Sequence, residues 1–339
     1  MGAIIVVDAF WGDSGKGKVA AYLTARRNAT YCVRAGTGTN AGHSVLFEDG
    51  RRLRCRQLPC GLVHPTAQVR VGSGVAVDPE VLLAELSELE LEYGVRQRTR
   101  VDYRCPIILP EHRQREAADL NLSQRVGSVG SGTGAARADF VLRRAQQARD
   151  LPALEGFTAD VARELNTACL RGETVVVEGS QGTHLSLALT PDYPCCTSDN
   201  CTATASADDV GLSWQQISEV VLVIKALPSR VGQGPLPLEL EAVTVESRGI
   251  GEYGVVTGRP RRKAAGISWP HLEEAVMLNG PTSLALTFCD HLDPAVRGAR
   301  SGADLTPPVR ALVDELEERL SLPVSLCDCG PLFEDLIEL

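Results

Sequence analysis

Lysine is nearly missing from this chain. Of its 34 basic residues only Lys16, Lys18, Lys225 and Lys263 are lysine; the rest are arginine. So even a bias reads as the coding preference of a GC-rich genome, but it makes the four lysines conspicuous. Long hydrophobic runs are missing too. No stretch approaches the ~20 apolar residues that a membrane span needs, so no membrane partner is expected. The N-terminus has no basic segment ahead of its apolar run, so no secretory signal is expected and the cytoplasm is the anticipated compartment. Positive charge is in deficit, and a formal net charge of −9 argues against nucleic acid as a partner. The eleven cysteines include no CxxC pair. Cys195-Cys196 and Cys327-Asp328-Cys329 are too closely spaced for an ordinary zinc site, so reduced thiols are expected. Linkers, repeats and compositional breaks are also missing, so residues 1–339 read as one domain with inserted subregions.

What is present is an ordinary globular composition, 44% hydrophobic and 23% charged, with its chemistry concentrated in glycine-rich loops. Residues 4–18 read IIVVDAFWGDSGKGK. The run Ile4 to Val7 has the character of a buried strand. It breaks at Gly12, Ser14, Gly15 and Gly17, with Lys16 and Lys18 among them, and VAAYLTARR then suits a helix. Strand, glycine loop and helix together cradle phosphate: glycines let backbone N–H groups approach the oxygens, and the helix start adds partial positive charge. Gly12 and Gly17-Lys18 fit the first part of a P-loop. Val19 stands where a hydroxyl would hold Mg²⁺, which leaves Asp13 as the candidate metal ligand.

A second loop lies between two short strand signals, Tyr31-Cys32-Val33 and Val45-Leu46-Phe47. It ends in Asn40-Ala41-Gly42-His43, where His43 could act as a general acid near neutral pH. Further on, VVVEGSQG at 175–182, VVLVIKALPSRVGQGP at 220–235 and SLALTFCD at 283–290 each run a buried strand into a polar or glycine-rich turn. The last is expected to remain strand as far as Asp290. Strands alternating with helices imply an α/β fold with a largely parallel central sheet.

WGDSGKGK followed by GTNAGHSV resembles the adenylosuccinate synthetase family, and the later motifs follow in family order over essentially the whole chain. The length suits the family's compact archaeal and phage forms. The resemblance implies a ligase that couples L-aspartate to C6 of a 6-oxopurine nucleotide, through a 6-phosphoryl intermediate and with nucleoside triphosphate hydrolysis. It implies that Asp13 removes the N1 proton, that Lys16 stabilises the transferring charge and that His43 donates to phosphate oxygens. Mg²⁺ is expected on Asp13 and Gly42. The purine nucleotide is expected on Ser14, Asn40, Ser128, Val129, Gln181 and Thr197, with Val129 replacing a family threonine. Arg143 falls where an arginine crosses a homodimer interface. The triphosphate is expected on Gly12, Gly15, Lys16, Gly17, Lys18, Phe288, Asp290 and Gly330. Thr257, Arg259 and Arg261 match a loop that closes on L-aspartate.

Two departures shape the expected substrates. Phe288 replaces a lysine beside the triphosphate's base, which implies relaxed donor choice, with ATP or dATP used as well as GTP. Ser14 replaces a glutamate in the loop that cups the purine edge. The lost bulk and charge would admit a 2-amino group, so GMP or dGMP is favoured, as in the phage N6-succino-2-amino-2′-deoxyadenylate synthases. The alternative is an ordinary synthetase using IMP and GTP.

Overall fold

The computed structural model describes residues 2–254, 256 and 258–339. Its strands in chain order are β1 (Ala3–Asp8), β2 (Tyr31–Arg34), β3 (His43–Leu46), β4 (Arg52–Cys55), β5 (Gln68–Val71), β6 (Thr99–Asp102), β7 (Thr158–Ala159), β8 (Val175–Glu178), β9 (Ile217–Lys225), β10 (Ser229–Arg230), β11 (Arg262–Lys263), β12 (Ser283–Thr287), β13 (Val324–Asp328) and β14 (Leu336–Glu338). Ten of them form one sheet, in the order β14-β13-β12-β9-β1-β8-β2-β5-β6-β7. Every pairing in it is parallel except β13 with β14. The sheet is thus mixed but largely parallel. β3 pairs with β4, and β10 with β11, in two small antiparallel ribbons.

The helices are α1 (Lys16–Arg26), α2 (Pro79–Tyr93), α3 (Pro110–Ala118), α4 (Thr133–Val141), α5 (Val161–Leu170), α6 (Ala203–Asp209), α7 (Ala242–Ser247), α8 (Trp269–Asn279), α9 (Cys289–Leu292) and α10 (Pro307–Leu320). They cover both faces of the sheet, which is why its central strands are apolar throughout rather than alternating. Ile5 and Val7 of β1 pack with Leu165 of α5, Leu272 of α8 and Leu316 of α10. Ile4 and Val6, pointing the other way, pack with Val19, Ala20 and Leu23 of α1. Local signals set the helix ends. Asp78 accepts hydrogen bonds from the backbone N–H groups of Glu80 and Val81 ahead of α2, and Gly94 closes that helix in the left-handed region.

One expectation needs correction. The strand expected to reach Asp290 stops at Thr287, because Phe288 turns into the left-handed region at φ 57° and caps the short helix α9. Among the described residues no helix is long and apolar enough to cross a membrane, and all eleven cysteines are free thiols.

Candidate active site

The loops at the C-terminal ends of the parallel strands meet over the middle of the sheet, where ligand crevices form in open α/β folds. The loop after β1 supplies the phosphate cradle. Gly12 (φ 86°), Asp13 (φ 49°) and Gly15 (φ 83°) all take left-handed backbone conformations. Gly15 is the N-cap of α1, and no side chain caps it, so the first N–H groups of the helix face the loop. Gly17 must be glycine for another reason: a Cβ there would lie 2.8 Å from the Cβ of His43 and 2.9 Å from Cys60 Sγ.

The loop's lysines are held by partners distant in the chain. Lys16 Nζ donates to Asp8 Oδ2 at 3.2 Å and to the Gln181 carbonyl at 2.5 Å. Lys18 Nζ lies 2.7 Å from Asp328 Oδ1 and donates to the Gly330 carbonyl at 2.7 Å, joining the expected triphosphate residues Lys18 and Gly330. Burial raises the Asp328 carboxyl to about 6, against the pull of Lys18.

A cavity of about 330 Å³ opens beside this loop. Its walls bring together Gly12, Asp13, Lys16, Asn40, Gly42, His43, Ser128, Val129, Gln181, Thr197 and Arg261, all singled out from the sequence. Asn40 Nδ2 donates to Thr197 Oγ1 at 3.2 Å across 157 positions of chain. Ser14, Gly15, Gly17, Lys18, Phe288, Asp290 and Gly330 do not line this cavity. Ser14 is 1% exposed, its carbonyl accepts from Thr287 Oγ1 at 2.7 Å, and its own hydroxyl is buried without a partner. Phe288 packs at the far side of the loop, with Lys225 Nζ 4.2 Å from its ring centre. Asp290 is engaged through one oxygen: Arg297 donates to its Oδ2 from Nε at 3.1 Å and from Nη2 at 2.9 Å. Arg143 stands exposed just past α4, outside the cavity of its own chain.

Of the three expected aspartate-binding residues, Thr257 lies outside the described residues. Arg259 lines a neighbouring cleft and donates to the Gly127 carbonyl at 3.2 Å. Arg261 is 7% exposed and forms an ion pair with the carboxylate of Asp13. It also donates to Ser229 Oγ at 3.0 Å and to the Gly12 carbonyl at 3.3 Å.

Several residues of this region were not anticipated. Glu178 Oε1 lies 2.5 Å from His43 Nδ1 and 2.9 Å from Arg34 Nη1, and Glu178 Oε2 accepts the Cys60 N–H at 2.8 Å. Burial, reinforced by Arg34, pulls His43 down to about 4, so the imidazole is neutral near pH 7. Glu116 accepts the N–H groups of Gly132 and Gly134 at 2.8 and 2.7 Å, so it satisfies the start of α4. A charged residue ending the buried run Val175 to Val177 was the available signal for Glu178. Arg34 and Lys225 end buried runs in the same way, whereas Glu116 and Glu252 carried no comparable local signal.

The donor set discriminates between metals. Among the described residues, His43, Cys60 and Glu178 form the grouping whose potential ligand atoms approach within 4.8 Å. Nitrogen, sulfur and a single carboxylate are poorly matched to Mg²⁺, which prefers oxygen. Arg34 already supplies positive charge there. Asp13 and the backbone at Gly42, both on the cavity wall, offer the oxygen donors that Mg²⁺ prefers.

Comparison with known proteins gives a consistent result. Residues 5–163 and 151–297 match the family described as adenylosuccinate synthetase. The chain is 43% identical to an adenylosuccinate synthetase of Thermococcus onnurineus, over 100% of this chain and 98% of that protein. It is 41% identical to that of Pyrococcus horikoshii, with the same coverage of each. A fully ligated adenylosuccinate synthetase from Plasmodium falciparum has the same fold, with a TM-score of 0.90 at 19% identity and 100% of both chains covered. A cyanophage S-2L succinoaminodeoxyadenylate synthetase, solved with dGMP and with dATP as energy donor, superposes with a TM-score of 0.82 at 28% identity, over 99% of this chain and 95% of that one. The particular likeness to phage enzymes expected from the sequence is therefore corrected: these archaeal proteins are more similar in sequence than the phage one.

Proposed function

The chain belongs to the adenylosuccinate synthetase family, whose carbon–nitrogen ligase reaction joins aspartate to a nucleotide with triphosphate hydrolysis, and from that premise we propose that it acts on IMP and L-aspartate. The observation that carries the reading is the convergence of Asp13, His43, Gln181 and Thr197, from four separate loops, on one cavity beside an uncapped helix start.

Asp13 takes the N1 proton of the bound purine, which makes O6 nucleophilic toward the γ-phosphoryl group. Its carboxylate is paired through Oδ2 with Arg261. Lys16, ion-paired with Asp8, stabilises the transferring phosphoryl group. His43 meets the phosphate oxygens from a neutral starting state, and their negative charge favours its protonation. Asp13 and Gly42 are the residues that would hold Mg²⁺, which when bound neutralises phosphate charge. The amino group of L-aspartate, held through Arg259 and Arg261 by paired hydrogen bonds to its carboxylates, then displaces phosphate from C6.

The choice of IMP rests on two supports. The archaeal relatives are named adenylosuccinate synthetases. Ser14 also turns away from the cavity wall, so the bulk it lacks does not widen the space beside Asp13. A second reading, with GMP or dGMP as substrate, draws on the likeness to the dGMP-bound cyanophage enzyme. ATP or dATP is proposed to serve as donor beside GTP, and a homodimer is proposed in which the exposed Arg143 reaches the partner's site. Phosphate release with IMP and a triphosphate, measured with and without L-aspartate, tests the core reading. Release that ignores L-aspartate would overturn it.

A further inference from the structure

Behind the phosphate loop lies a buried charge cluster that the mechanism above does not use. Residues 252–254 and 259–261 pair as the two arms of a small hairpin: Tyr253 bridges Pro260, the Gly254 N–H donates to the Arg259 carbonyl at 2.9 Å, and the Arg261 N–H donates to the Glu252 carbonyl at 2.9 Å. Gly254, Val256 and Arg261 place this hairpin on the cavity wall. Glu252 sits at its base. Its Oε2 receives Lys225 Nζ at 2.5 Å and lies 3.3 Å from Lys263 Nζ. Lys225, whose side chain is 1% exposed, donates in addition to the Asp13 carbonyl at 3.0 Å and to Ser229 Oγ at 2.8 Å. Ser229 Oγ in turn accepts from Arg261 Nε at 3.0 Å.

The hairpin and the phosphate loop are therefore joined through both Arg261 and Glu252. Across the base of the hairpin from Glu252, Arg261 grips the Asp13 side chain and the Gly12 carbonyl. At its base Glu252, through Lys225, grips the Asp13 backbone. Asp13 holds a left-handed conformation at φ 49°, which costs a non-glycine residue energy and needs surrounding contacts to maintain it. Lys225 is one of those contacts.

We propose that Glu252 is a positioning residue: its carboxylate, through Lys225, anchors the arginine hairpin to the Asp13 backbone and so sets where the hairpin presents Arg259 and Arg261 to L-aspartate. The inference rests on reading that hairpin as the L-aspartate site. Glu252 acts through Lys225 and touches no substrate. Burial and the neighbouring Lys225 pull Lys263 down to about 7, which is how one carboxylate accommodates two buried lysines.

The test is steady-state kinetics of Glu252→Gln with each substrate varied in turn. Because two lysines would then face no carboxylate, Glu252→Gln/Lys263→Met is made alongside to remove the surplus buried charge and protect folding. The expected result in both is a KM for L-aspartate raised about tenfold or more, with KM for the purine nucleotide and the triphosphate within about twofold. Two outcomes overturn the inference: a KM for L-aspartate within about twofold of wild type in either folded variant, or a rise of all three KM values together, which marks general damage. Wild-type phosphate release that ignores L-aspartate would instead sink the underlying reading of the site.

Discussion

Glu178 holds His43 against Arg34: its Oε1 lies 2.5 Å from His43 Nδ1 and 2.9 Å from Arg34 Nη1, and all three side chains are buried. The carboxylate and Arg34 Nη1, which approaches the same nitrogen at 2.7 Å, together fix the ring's direction, as a carboxylate does behind other catalytic histidines. Glu178→Gln is expected to lower kcat by about 10–100-fold. It also leaves Arg34 buried without its counter-charge, so a loss of about 3–5 kcal/mol of stability should appear in a urea titration. Unchanged kcat in a folded variant would remove Glu178 from the mechanism.

Asp13 and His43 face the same cavity from different loops. Asp13→Asn and His43→Asn should each keep the wild-type circular dichroism spectrum and lose about 10²–10⁴ in turnover, the usual contribution of a positioned acid or base. A variant that turns over within a factor of a few of wild type identifies a bystander.

How much of this was legible before any coordinates depends on whether the signal is local. Glycine spacing with Lys16 and Lys18 marked the phosphate loop because a βα cradle is built from consecutive residues. His43 stood out at the end of its glycine loop, Asn40, Gln181 and Thr197 came through motif resemblance, and the fold brings all four to one cavity. Lys225 stood out as a rare lysine, but its pairing with Glu252 was invisible because the two lie 27 positions apart. Phe288 was misplaced as strand because a left-handed turn at an aromatic residue has no sequence signature. Ser14 was assigned to the correct loop, but a sequence does not tell which side of a loop a side chain takes.

Protonation of His43 should register in stability. Its pKa is about 6.5 in an unfolded chain and is pulled down to about 4 in the fold by burial and Arg34. Between those values the unfolded chain binds more protons, so this group makes stability fall as pH drops from about 6.5 toward 4. Glu178, held below the usual carboxylate range by His43 and Arg34 despite its burial, acts in the same direction. Asp209 and Asp328, raised to about 6 by burial, oppose it. The difference between wild type and His43→Asn isolates the histidine: urea midpoints from pH 4 to 7 should decline less steeply in the variant. Parallel curves would refute the assignment.

If Asp290 meets the triphosphate's base, as the family resemblance implies, donor choice turns on its free oxygen. Guanine presents two adjacent N–H donors that together need both oxygens of a carboxylate, whereas the single exocyclic amino group of adenine needs one acceptor. Arg297 occupies Oδ2 of Asp290 with two hydrogen bonds, which leaves one oxygen for a base. Wild type should therefore use ATP and dATP with kcat/KM within about tenfold of GTP, and Arg297→Ala should shift the ratio toward GTP. A strong wild-type preference for GTP would refute this reading.

The purine substrate gives the last test, and it hinges on Ser14. Were Ser14 on the cavity wall, its small side chain would leave room beside Asp13 for a 2-amino group, and GMP or dGMP would fit best. Instead its side chain is buried off that wall, with a hydroxyl that meets no partner and a carbonyl tied to Thr287. Asp13 itself stays on the wall. A substrate's N1 can therefore be met as in a site for IMP, with the Ser14 hydroxyl off the wall and away from a 2-amino group. Rejecting an analogue that lacks a hydrogen-bonding group requires a site built to bond that group, and no such partner faces the cavity from Ser14. The expected order of kcat/KM is IMP above GMP and dGMP, measured with L-aspartate on one preparation. Ser14→Glu, which forces a longer charged group into a buried position, should lower stability without changing that order. If dGMP is the best substrate, or if Ser14→Glu selectively abolishes dGMP use, then Ser14 does read the purine edge and the enzyme belongs with the makers of 2-amino products.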